Sequence, residues 1–273
     1  MNTLATTRQE SANWPGGTME FPGGWAGDLA WSGDALWLAW AACADEEPDL
    51  MVAPDKLWNL RQGATLEEWR RQSPSTSFTV SVARLAASGP ADVLELGRSL
   101  HAGDGPALAA LSGGAQPAVV WTERREGATV VLASGGGTVE TVSDAPGAKL
   151  GPRVAAGPDG RLLAVWQQWP GDTTDGAVPL ITGAQRDLGA GRGWGTAAAI
   201  SPKGHSAWAP AVTAGADGGL WCVWDAWNGT SYQVYARHAP HGGDWGEVVQ
   251  LSEPDSHMFL NLGPDVAAET GRA

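Results

Sequence analysis

The sequence predicts an all-β protein, a β-propeller of four-stranded antiparallel blades. Three observations predict it. Glycine and proline, 38 and 18 of 273 residues, fall at intervals between short apolar runs rather than in one tract, which is the punctuation of many short strands and turns. One pattern of Pro, Gly and Trp recurs along the chain. Two further apolar runs follow each copy, so the unit is four strands long and returns roughly every 45 to 60 residues, the length of a propeller blade.

The copies align in step. "GPRVAAGPDGRLLAVWQQW" (151–169) and "APAVTAGADGGLWCVWDAW" (209–227) share Pro152 and Pro210, Gly160 and Gly218, Trp166 and Trp224, Trp169 and Trp227. "GPALAALSGGAQPAVVWTER" (105–124) keeps Pro106, Gly114 and Trp121; "GDLAWSGDALWLAWAA" (27–42) is degenerate and keeps Trp40. "GPDVAAETGRA" (263–273) begins a fifth copy. In the two best copies Asp-Gly separates the first two runs, a strong hairpin signal. Third strands are expected at 77–86, 128–134, 177–185 and 232–238, and fourth strands at 91–97, 137–143, 194–201 and 245–252. A β-sandwich also has many short strands but does not predict this recurrence.

The predicted organisation is an N-terminal extension (1–24) and a propeller (25–273) with blades at about 25–99, 105–143, 151–201, 209–252 and a partial one at 262–273. Strands two to four of that last copy have no evident source in the sequence, so the expectation is that they lie beyond it; the alternative is a small ring whose last blade is completed by N-terminal residues. An insertion, 41–76, sits between strands two and three of the first blade and has helical character. Within it Thr65 and Glu68 form a capping box, and Glu67 and Arg71 an i,i+4 pair.

The net charge of −13 argues against nucleic acid or an anionic membrane as partner, since both select basic surface. The sequence contains no apolar run long enough for a membrane span. "MNTLATTRQESANWPGG" lacks the apolar core of a secretion signal, which fits a cytoplasmic protein or a piece of a longer exported one. Cys43 and Cys222 are far apart without metal-type spacing, and Cys222, inside an apolar run, reads as a buried free thiol. Nucleophile-elbow, phosphate-loop, zinc-helix and calcium-loop patterns are all missing from the sequence, so no cofactor, metal or catalytic residue is expected.

The composite pattern "P-x-V-x-A…D-G-x-L-W-x-V-W-D…N-G…Y-x-V-Y-A-R…W-G…L-S" resembles bacterial propellers of the sialidase-like and TolB-like superfamily. It is particularly similar to the Trp-rich blades that precede a metal-dependent hydrolase domain in some large surface or secreted proteins. The resemblance is good over 151–273, fair over 105–150 and weak before 100. Sialidases carry a Ser-x-Asp-x-Gly-x-x-Trp box between strands three and four. The turns "LGAGRGWG" (188–195) and "APHGGDWG" (239–246) lack it, and no arginine triad or Tyr–Glu pair maps, so sialidase chemistry is not implied.

Propeller topology gathers the strand 2–3 loops and the blade crossovers on one face, and loops on a rigid scaffold are the usual carriers of function. That face is expected to hold Glu123 and Arg124; Gln167 and Trp169; Asp225, Trp227 and Asn228; and, in a crossover, His205 and Trp208. Aromatic rings flanked by Asp, Asn and Gln suit a sugar, while a repeated Trp also suits a wedge between blades. Trp40, Trp121, Trp166 and Trp224 are read as wedges, and Trp169, Trp208 and Trp227 as candidate ligand contacts. Asp225 and Asn228 have a second reading as turn organisers. His101, His205 and His257 sit in crossovers one blade apart, too dispersed for a zinc site, and read as hydrogen-bonding caps. Glu123, Asp172, Asp175 and Asp225 are the carboxylates of this face. The favoured function is a non-catalytic recognition or scaffold module with a carbohydrate or protein ligand. A glycoside-acting enzyme and an accessory domain of a larger hydrolase are the alternatives.

Overall fold

Each apolar run between Gly-containing turns forms a strand, and four consecutive strands form one antiparallel meander. The computed structural model describes residues 24–43, 78–86, 89–99, 105–112, 116–125, 128–135, 137–169, 178–253 and 262–268. Blade one comprises β1 (Gly24–Ser32), β2 (Ala35–Cys43), β3 (Phe78–Ala86) and β4 (Gly89–Ser99). Blade two comprises β5 (Ala107–Ala109), β6 (Ala118–Arg125), β7 (Ala128–Gly135) and β8 (Thr138–Ser143). Blade three comprises β9 (Lys149–Ala156), β10 (Arg161–Gln168), β11 (Leu180–Asp187) and β12 (Ala198–Ala199). Blade four comprises β13 (Ser206–Ala214), β14 (Leu220–Trp227), β15 (Tyr232–Ala239) and β16 (Val249–Gln250). In every sheet the spatial order follows the sequence order. The first strands β1, β5, β9 and β13 touch their successors, forming the inner wall.

The Asp-Gly turns are alike in detail. Gly160 and Gly218 take φ of 82° and 78°, a region open to glycine at little cost. Their hairpins close through Gly157 N–H to Arg161 O and Gly215 N–H to Gly219 O, both 2.7 Å.

The blades are held by three apolar joints, each centred on a wedge tryptophan. Trp121 packs in the joint of blades one and two, Trp166 in that of two and three, and Trp224 in that of three and four. All three are fully buried, and an aromatic of this size removes about 150–250 Å² from water. Trp40, at the same step in blade one, is only half-buried. A serine closes the two later blades: Ser201 Oγ accepts Ile181 N–H at 2.8 Å, and Ser252 Oγ accepts Val234 N–H at 2.9 Å.

Four details differ from the expectations. The fourth strands of blades three and four are two residues long, because the outer edge pairs only intermittently: Gly195 N–H bonds Gln185 O, and Ile200 N–H bonds Ile181 O. Trp208, expected in a crossover, lies in β13, which starts at Ser206 and absorbs Pro210 through a bulge between Trp208 and Ala211. Trp227, expected past the strand end, is the last residue of β14, paired with Tyr232. β2 runs through Cys43, into the first positions assigned to the insertion. The capping box of that insertion lies outside the described residues, among which no helix occurs.

Candidate functional site

The entry ends of the inner strands surround an axial cavity of about 760 Å³. Its wall follows one repeated short sequence, Gly105-Pro106, Gly151-Pro152, Ala209-Pro210 and Gly263-Pro264, of which all but Pro152 line the cavity. The residue before proline takes φ of 56° at Gly151, 44° at Ala209 and 64° at Gly263. The residue after proline is Ala107, Arg153, Ala211 or Asp265, so this position varies where the frame repeats.

Polar side chains enter the cavity from several blades. Arg153 is exposed there and donates to Pro152 O at 2.9 Å. Asp28 accepts Leu29 N–H and Leu108 N–H, both at 2.9 Å, tying blade one to blade two. Asp265 accepts Val266 N–H at 2.9 Å. Gln167 lines the cavity from blade three, and its amide donates to Ala207 O at 2.9 Å, across the joint to blade four.

Gln167 also links the cavity to an aromatic pair. Trp169 Nε1–H donates to Gln167 Oε1 at 3.3 Å. The Trp169 ring meets that of Trp208 edge-on, with centroids 5.5 Å apart at 81°, a favoured aromatic geometry. Trp208 Nε1–H donates to Ser206 Oγ at 2.8 Å. Both rings are half-buried and lie on the joint of blades three and four, within two residues of the wall residues Gln167 and Ala209.

The other candidates lie apart from this group. Asp225 is buried in the joint beyond blade four, where Oδ1 accepts Gly263 N–H at 3.1 Å. Asn228 Oδ1 accepts Thr230 N–H and Ser231 N–H at 2.9 and 3.0 Å and organises the strand 2–3 turn. Trp227 is 40% exposed and meets Tyr232 at 5.3 Å. His205 leans on Tyr235 at 6.2 Å in the crossover. Glu123 accepts Arg98 N–H at 3.3 Å and pairs with Arg125 at 2.8 Å, bridging blades one and two. Arg124 is exposed at the end of β6. His101, His257, Asp172 and Asp175 lie outside the described residues, as does the Cys43 side chain. Cys222 is free and buried, and burial pushes its thiol pKa far up, leaving it inert. Among the described residues no group of three His, Cys, Asp or Glu gathers as a metal site, and no helix is long and apolar enough to cross a membrane.

No protein-family model and no curated protein matches the chain. Among solved structures it is similar to a neuraminidase-like protein from A/bat/Guatemala/164/2009, at 9% identity and a TM-score of 0.50, over 85% of this chain and 58% of that one. The chain has the β-propeller fold. It is also similar to a protein of unknown function from Dyadobacter fermentans (13% identity, TM-score 0.44, 80% of this chain and 60% of that one). A third is an α-L-arabinanase of Penicillium chrysogenum solved with arabinobiose (12%, 0.41, 82% and 66%). This chain thus spans less than two thirds of each. At such identities the likeness is one of fold, and function rests on the site itself.

Proposed function

We propose that this propeller is a recognition module whose axial cavity, with the Trp169–Trp208 pair beside it, receives a carbohydrate. The observation that carries the reading is the shared hydrogen bond of Gln167 and Trp169, which couples a polar cavity wall to an aromatic pair. Aromatic rings accept the C–H faces of sugars, while Gln167, Asp28, Asp265 and Arg153 offer donors and acceptors to hydroxyls. Kinship with the sialidase-like rather than the TolB-like propellers is part of the same reading. Screening against a glycan array tests it. Binding lost in Trp169→Ala or Trp208→Ala, with the fold intact, supports it; no binding to any glycan sinks it.

A second reading has its own support. Asp28 and Asp265 both line the cavity, and glycoside hydrolysis uses two carboxylates flanking the scissile bond. Turnover of chromogenic glycosides, abolished by Asp265→Asn, would make the protein an enzyme. An unaffected rate in Asp265→Asn removes Asp265 from the chemistry, and no turnover with any substrate leaves binding alone.

A further inference from the structure

Blade four has two faces, and the repeat identifies both as joints. One packs on blade three. The opposite face carries Trp221, Val223, Val234 and Leu251. Their counterparts in blade three are Leu163, Val165, Ile181 and Ile200. Trp221 and Leu163 each lie three residues before the wedge tryptophan, and Leu251 N–H bonds Val234 O at 2.8 Å as Ile200 N–H bonds Ile181 O at 2.7 Å. The blade-three set is at most 1% exposed, sealed beneath blade four. In blade four Trp221 is 40% and Leu251 57% exposed, joined by Val249 at 54%. Trp227 and Leu262, 40% and 41% exposed, stand where Trp169 and Trp208 meet one joint earlier. Val223 is buried beneath Val266 and Val234 is half-buried, whereas Trp221 and Leu251 face water where their blade-three counterparts are sealed.

Two observations say what covers this face. The inner strand position of a following blade is already filled: Gly263 N–H bonds Asp225, and Val266 packs on Ala211, Val223 and Ala236. In addition, among the described residues no strand pairs with 262–268. An apolar face bordered by a segment that no described strand pairs with suits an antiparallel sheet that pairs with that segment and lays its apolar side on the face.

We propose that the Trp221 face of blade four binds a three-stranded antiparallel β-sheet of this same repeat, which pairs with residues 262–268 to complete a fifth blade. The test uses Leu251→Cys in a Cys43→Ser background, with maleimide labelling and sedimentation. The 273-residue chain is expected to label rapidly and to sediment as a monomer at every concentration. A second copy of residues 220–253 appended after Ala273 supplies three strands of the repeat. Labelling then slows by about tenfold or more, because the thiol reacts only when the joint opens, and adding Trp221→Glu restores the rapid rate. A second extension, residues 162–202 of blade three, guards against one graft failing to fold. Protection that appears in the unextended chain with rising concentration would assign the face to a second copy. Protection in the unextended monomer would assign it to another segment of the chain. Rapid labelling in both extended chains would show that the face accepts no such sheet. Each of these three results overturns the proposal.

Discussion

Ala209 occupies a backbone conformation that costs it energy, and relieving it should stabilise the protein. Its φ is 44°, where Gly151 and Gly263 stand at the same step of the repeat. A left-handed conformation costs a residue with a Cβ roughly 1–2 kcal/mol. Glycine avoids that cost but loses more chain entropy on folding, about 0.5–1 kcal/mol. The Ala209 methyl is exposed, so little packing is lost. Ala209→Gly should therefore raise stability by about 0.5–1 kcal/mol, the difference of these two effects. That corresponds to an upward Tm shift of roughly 1–4 °C for a chain of this size. Urea unfolding with matched slopes measures it. Ala214→Gly, within β13 and free of positive φ, is the control and should lose about 0.5–1 kcal/mol. Equal losses in the two variants would refute the argument from strain.

Other outcomes follow from the joints and their ion pairs. Trp224→Ala should cost about 3–5 kcal/mol, a large share of a typical total of about 5–15 kcal/mol, whereas Trp227→Ala should cost less than about 1 kcal/mol; denaturation midpoints compare them, and similar losses would contradict the division into wedge and surface ring. Lys149 is buried, its ammonium bonded to the carbonyls of Thr129, Ala145 and Gly147. Lys149→Met should cost about 2–3 kcal/mol by leaving those acceptors without a charged donor, and an unchanged midpoint would show that the cage is dispensable. Burial pushes the Asp159 carboxyl up, but hydrogen bonds and charge from Arg161, 2.6 Å away, outweigh it and hold the pKa below the ordinary 3.8. Its contribution is therefore present above that value and lost as pH falls through the lowered one. Between about pH 5 and about pH 3 the parent should lose more stability than Asp159→Asn; parallel curves would contradict this.

The propeller was legible because its repeat is written in residues with few substitutes. Asp-Gly marks a hairpin, and Trp166 and Trp224 mark the buried joint, since only a large ring fills that gap between sheets. The shared positions also suggested a common role for Trp169 and Trp227, but position alone does not fix environment. Trp169 meets Trp208 of a following blade, and Trp227 meets open water and Tyr232. Asp225 and Gln167 share a position as well, and each reaches across a joint to backbone. Such links depend on the neighbouring blade, which local spacing does not describe. Arg153, Asp28 and Asp265 line the cavity from the inner-strand positions, where the repeat marks no site, rather than from the loops. A signal for two of them was present: directly after the repeated proline the residue changes from blade to blade, and Arg153 and Asp265 are two of its values.

The central claim is that the carbohydrate site lies at the axial cavity and the Trp169–Trp208 pair. Calorimetric titration of an array-selected glycan into the parent, Trp169→Ala and Trp227→Ala measures it directly. Saturable binding is expected in the parent and in Trp227→Ala, with loss in Trp169→Ala. Binding that survives Trp169→Ala and disappears in Trp227→Ala would place the site on the outer joint of blade four and contradict the account.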